Sequence, residues 1–193
     1  MPRLLAATSA LVLVDYQQRL MPALHEGDAA VARGLWLAAV AREIGVPVLG
    51  TEQNPDGLGP NLPAVRAACQ RTLAKRHFDA AADGLAGALR DLPAAPTQVV
   101  VAGCEAHVCL MQTALGLHDA GFEVFVAADA CASRRPGDRK LGLQRLGAAG
   151  CTMGSVEMLA FEWLQASDHP RFKALLPLLR QGPMLPAGGA VPT

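Results

Sequence analysis

The strongest constraint in this chain is an alternation of short, unbroken apolar runs with longer segments of helical spacing. Leu11-Val12-Leu13-Val14, Val46-Pro47-Val48-Leu49-Gly50, Gln98-Val99-Val100-Val101-Ala102-Gly103 and Phe122-Glu123-Val124-Phe125-Val126-Ala127-Ala128 are such runs. A strand that reads as continuously apolar is covered on both faces, as happens when helices cross over to join parallel neighbours. The intervening segments supply those helices: Val31 to Ile44 stopped by Gly45, Gly84 to Leu92, Ala106 to Ala120 stopped by Gly121, and Asp138 to Ala149. Thr72-Leu73-Ala74-Lys75 and Cys151-Thr152-Met153 read as two weaker strands. Ser155 caps a helix through Leu164, and Ser167-Asp168-His169-Pro170 opens a last one, with Pro near the first turn. Thr51 to Pro63, rich in Gly, Pro and Asn, reads as a loop. The expectation is an α/β fold: a three-layer α/β/α sandwich around a six-stranded, mainly parallel sheet. One domain is expected over residues 1–182, with a Pro- and Gly-rich tail, 183–193, expected to be disordered.

A chain of 193 residues can bury such a core without disulfides or a structural metal. Its 17 basic and 17 acidic side chains balance, so no net field draws it to nucleic acid or an anionic membrane. The densest basic group, Arg134, Arg135, Arg139 and Lys140, reads as a solvated loop and helix start. Five cysteines cannot all pair internally, and Cys69, Cys104, Cys109, Cys131 and Cys151 read as free thiols of a reducing compartment. Leu4 to Val14 is apolar after Arg3, but it ends in Asp15-Tyr16-Gln17-Gln18 rather than a small-residue cleavage site and is too short to span a bilayer. A cytoplasmic protein with no membrane partner is expected. No Gly-x-Gly-x-x-Gly follows the first strand, which disfavours a dinucleotide-binding protein.

In open parallel sheets the ligand lies beyond the carboxyl ends of the strands, where the strand order switches. Asp15, Lys75 and Cys109 stand at three such ends. Each has a plain alternative: the carboxylate can cap a loop, the lysine can be solvated, and the cysteine can be a small buried hydrophobe. Together they make coherent chemistry. A thiol at a helix N-terminus beside an ammonium group is expected to have a lowered pKa. Free N–H groups there can receive the oxygen of a tetrahedral intermediate. Asp15 would move the proton, and Lys75 would hold Asp15.

Gly103-Cys104-Glu105-Ala106-His107-Val108-Cys109 resembles the nucleophile segment of the isochorismatase-like cysteine hydrolases, a superfamily that includes nicotinamidases and N-carbamoyl amidases. Leu13-Val14-Asp15-Tyr16-Gln17 is similar to the family's first-strand Asp-x-Gln, and Lys75 followed by Phe78 to its lysine segment. Thr51-Glu52-Gln53-Asn54-Pro55 with Gly57-Leu58-Gly59-Pro60, and Ala128 to Arg134, look closest to the isochorismatase-domain-containing subgroup. The resemblance spans roughly residues 8 to 180. It implies the strand order 3-2-1-4-5-6, the trio Asp15, Lys75 and Cys109, and a cis peptide at Cys104–Glu105 aiming the Glu105 N–H, with that of Cys109, at an oxyanion. It also implies a homo-oligomer acting on a small molecule, with cleavage of an amide-type C–N bond through a thioester.

The departures carry weight too. Ala106-His107 stands where members often carry Thr-Asp or Thr-Glu, making His107 a candidate for substrate contact against a surface or capping role. The nicotinamidase metal cluster has no counterpart, since Thr51 to Pro60 holds no histidine, so neither metal nor other cofactor is expected. Gln17 and Gln53 flank the expected cleft, as substrate contacts or as loop bonds. Trp36 and Trp163 are expected to pack in the core or at a subunit interface, and Cys104 and Cys131 to be buried. A non-catalytic binding or regulatory protein on the same scaffold is the rival reading.

Overall fold

The structure, a computed structural model, describes residues 3–183. Its elements in chain order are β1 (Ser9–Val14), α1 (Gly27–Glu43), β2 (Val48–Gln53), α2 (Pro55–Leu58), α3 (Pro63–Ala68), β3 (Arg71–Lys75), α4 (Leu85–Arg90), β4 (Gln98–Cys104), α5 (Cys109–Asp119), β5 (Glu123–Ala132), α6 (Pro136–Ala148), β6 (Thr152–Gly154), α7 (Val156–Leu164) and α8 (Phe172–Gln181). The strands form one sheet in the order β3-β2-β1-β4-β5-β6, every neighbouring pair parallel. This is the expected three-layer sandwich. The order reverses between β1 and β4, so the switch point lies at the end of the two most buried strands.

Alternation along the strands builds a core on each face. Leu11, Leu13, Val100, Ala102 and Phe125 point to the layer of α1, α7 and α8, where Trp36, Leu37, Val40, Leu159, Trp163 and Leu175 meet them. Val12, Val14, Val99, Val101 and Val126 point to α4, α5 and α6, against Leu85, Leu89, Leu110, Leu117 and Leu146. Both tryptophans are core residues, and Trp163 Nε1 donates to Ser9 Oγ at 3.0 Å. Cys104 and Cys131 are buried, and all five cysteines are free.

Several expected boundaries move. The strand expected at 46–50 runs from Val48 through Gln53, because Gly50, Thr51, Glu52 and Gln53 pair with β3. The rest of the expected loop folds into α2 and α3, each with proline in its first turn, where a missing N–H costs nothing. The helix expected from Ala106 begins at Cys109, since the Ala106 N–H is taken at 2.8 Å by Ala132 O of β5. β5 passes Asp129 and reaches Ala132 after a register shift against Val101 and Gly103. Ser155 caps α7 as expected, its Oγ accepting the Met158 N–H. The last helix starts at Phe172 rather than at the Ser167–Pro170 signal. The tail expected from 183 lies, from residue 184 on, outside the described residues. Among the described residues no helix is long and apolar enough to cross a membrane.

Candidate active site

β1 ends at Val14, and Asp15 turns into the left-handed region at φ +52°, a conformation that aspartate tolerates better than most residues. The turn leaves its carboxylate fully buried at the switch point. Oδ1 accepts the Thr51 hydroxyl at 2.7 Å, and Oδ2 lies 2.8 Å from Lys75 Nζ. Lys75, also buried, reaches Gln53 Oε1 at 2.6 Å and the carbonyls of Phe78 and His77 at 3.3 and 3.4 Å. Removing this pair from water is costly, and the surrounding acceptors and the Thr51 donor offset much of that cost. A cleft of about 370 Å³ opens beside Lys75, lined also by Pro55, Asp56, Ala74, Arg76 and Asp83.

Gly103 makes the next part possible. Its φ is +144°, and a Cβ there would run into the Val14 backbone, so β4 can close on the end of β1 only with glycine. The Cys104–Glu105 peptide is cis. After it the chain makes a turn in which Val108 N–H and Leu110 N–H both donate to Glu105 O, at 3.0 and 3.2 Å. The N–H groups of Glu105 and Cys109 take no acceptor among the described residues. Cys109 is the first residue of α5, with its thiol almost out of solvent and 3.8 Å from Gln53 Oε1.

Burial pushes the Cys109 thiol up to about 12; the negative charge of Asp15 adds to this, and Lys75 pulls the other way. This corrects the expectation of a lowered pKa. The ammonium group is held against the carboxylate, and desolvation disfavours the thiolate more than the helix start favours it.

Of the eight residues expected at a site, Asp15, Lys75, Cys109 and Gln53 converge directly. Gln17 is buried behind them, its side-chain amide bonded to the Gln53 N–H and C=O, both at 2.9 Å, and to Gly59 O at 2.6 Å. Cys104 is buried under the turn, its thiol also pushed up by burial. The Glu105 carboxylate faces away from the trio toward Arg134, whose N–H and Nε reach Oε2 at 2.9 and 3.1 Å. His107 Nδ1 lies 3.0 Å from Ser133 Oγ, and its Nε2 faces Asp138 at 4.0 Å, so its recorded partners belong to the start of α6 and the loop before it. The basic group expected to be solvated is divided: Arg134 holds Glu105, and Arg139 donates to Cys131 O and Ala128 O at 2.7 and 2.5 Å.

Sequence reasoning missed Thr51, the hydroxyl donor to Asp15, and Asn61, whose N–H meets Glu52 Oε1 and whose Nδ2 meets Thr51 O. Period-two alternation would have placed Thr51 beside Gln53, had the strand been carried that far. Among the described residues no group of three or more His, Cys, Asp or Glu is placed to hold a metal ion.

A family model, the isochorismatase domain, matches residues 9–158. Isochorismatase domain-containing protein 2 of Danio rerio is 32% identical over 177 residues, covering 92% of this chain and 89% of the relative. The structure of MAR1 ribonuclease from Caenorhabditis elegans is similar at a TM-score of 0.88 and 28% identity, over 100% of this chain and 98% of that one. YcaC from Pseudomonas aeruginosa, solved with hexane-2,5-diol and covalent acrylamide, is similar at 0.83 and 26% identity, over 96% and 93%.

Proposed function

The chain belongs to the isochorismatase family of hydrolases, and we propose that within it this protein cleaves an amide-type C–N bond of a small molecule with Cys109 as nucleophile. The observation that carries the proposal is the buried cluster at the switch point: Asp15 Oδ2 lies 2.8 Å from Lys75 Nζ with no hydrogen bond of its own among the described residues, and the Cys109 thiol stands beside both. A thiol pushed up to about 12 is protonated at rest, so it needs a base at the moment of attack. Asp15 is the carboxylate in place to be that base.

Cys109 Sγ attacks the carbonyl carbon while its proton passes to Asp15 Oδ2. The developing oxyanion meets the unclaimed N–H groups of Glu105 and Cys109, where hydrogen bonds count most in a dry site. Asp15 gives the proton to the departing nitrogen, the C–N bond breaks, and a thioester remains. Water then adds with Asp15 as base. Collapse breaks the C–S bond and returns the proton to sulfur. Lys75 holds the carboxylate in register throughout and balances its charge.

The test is turnover of a panel of small neutral amides, with mass spectrometry of trapped adducts. Cys109→Ala should abolish turnover and the adduct, and full activity in C109A would sink the covalent route. The Caenorhabditis elegans neighbour, a ribonuclease by name, supplies a second reading, RNA cleavage, against which the balanced charge of this chain speaks. Turnover of labelled RNA that survives C109A would favour it. A non-catalytic role predicts neither activity. Self-assembly belongs to the proposal too: Leu5, Met158 and Phe161, all exposed, surround one cleft of about 540 Å³. Sedimentation of the intact chain tests it.

A further inference from the structure

Thr51 and Gln53, two residues apart at the end of β2, share one face of the strand, while Glu52 takes the other and reaches Asn61. Every polar atom of Gln53 has a protein partner. Its N–H donates to Gln17 Oε1 and its C=O accepts from Gln17 Nε2, so the Gln17 amide imitates one rung of a β-ladder past the end of β1. Its Nε2 donates to Arg76 O at 2.8 Å. Its Oε1 accepts from Lys75 at 2.6 Å and faces the Cys109 sulfur at 3.8 Å. A side chain engaged on all sides favours the bonding role over substrate contact for Gln53.

We propose that Gln53 is a positioning residue: its Oε1 holds the Lys75 ammonium against Asp15 and gives the Cys109 thiol a resting acceptor until substrate arrives. The inference rests on the reading of Cys109 as nucleophile. The charged groups that face the thiol are Asp15 from β1 and Lys75 from β3, and Gln53 from β2 is neutral between them. An oxygen that accepts from S–H favours the thiol over the thiolate. By also occupying the ammonium, it keeps that charge from drifting to sulfur.

The experiment measures acrylamide alkylation of Cys109 in the full chain across pH, with the adduct located by mass spectrometry. Gln53→Glu puts a negative charge beside the sulfur and draws Lys75 from Asp15, so alkylation at pH 8 should fall about tenfold, one unit of thiol pKa. Gln53→Met keeps the volume and removes the acceptor, so alkylation should rise by about the same factor. Opposite signs are the signature of positioning. A loosened site raises both rates and opens the buried thiols of Cys104 and Cys131 to acrylamide as well. Shifts of the same sign, no shift in either variant, or a rise matched at Cys104 would overturn the inference. If Q53E fails to fold, an unchanged rate in Q53M overturns it alone. These readouts need no substrate, so they stand apart from the nucleophile reading, which fails only through turnover by C109A.

Discussion

On the β2–β3 side of the site Lys75 meets Asp15 at 2.8 Å with almost no solvent on either side chain. On the β4–β5 side Glu105 meets Arg134 at 3.1 Å, with the arginine side chain 62% exposed. The two ion pairs look alike on paper and differ in what they do. The buried pair has no water to fall back on, so neither partner can leave without stranding the other. In the second pair only the arginine faces solvent: Glu105 is buried, and when the guanidinium turns to water the Arg134 N–H still donates to the carboxylate. The side that holds the proposed base is therefore rigid by electrostatics, and the side that holds the proposed nucleophile is fixed mainly by backbone bonds to β5.

The hardest blow to that contrast is Lys75→Met, which leaves the Asp15 carboxylate buried and unpaired. It should cost about 3–5 kcal/mol in urea unfolding, and a loss as small as that of an exposed pair would break the comparison. Thr51→Val removes the hydroxyl donor from the same carboxylate, with an expected loss of about 1.5–3 kcal/mol. Buried thiols add a pH dependence. Cys109 and Cys131 are each pushed up to about 12, chiefly by burial, whereas an unfolded chain gives up such protons near 8.5. The native state thus binds more protons above that value, and stability, complete below it, falls as pH climbs toward 12. The slope approaches about 1.4 kcal/mol per pH unit for each such thiol, and Cys131→Ala should flatten an alkaline unfolding series by that amount. Least affected should be Arg134→Ala, at about 1 kcal/mol, because the Arg134 N–H stays in place and still donates to the buried Glu105 carboxylate. A larger loss would mean that the Arg134 guanidinium carries the turn after all.

The chain's apolar runs made the layers legible: β4 was readable to within one residue and β1 to within two at its start, because a strand covered on both faces admits little else. What escaped were elements whose polar residues are satisfied only in three dimensions. Thr51, Glu52 and Gln53 read as loop because their partners, Asp15, Asn61 and Lys75, lie far off in sequence. The start of α5 was misplaced for a similar reason: Ala106 has helical propensity, and a single bond to Ala132 overrides it. At the site, the positions of Asp15, Lys75 and Cys109 were readable, but the direction of the thiol's titration was not. Propensity for a helix start suggests acidity, and only burial beside a carboxylate reverses it. Gln17 and Gln53 were visible as polar residues near a cleft, but their mutual bonds could be seen only in the structure.

One close approach has a wider reach than its size suggests. At Gly142, in the middle of α6, a Cβ would sit 2.6 Å from Ala106 O and 2.8 Å from His107 Cα. The helix therefore lies directly on the bend that presents Cys109, with no cushion between them. Any residue bulkier than hydrogen there must lift the helix or depress the bend, so a position on an outer layer acts as a lever on the sulfur's aim.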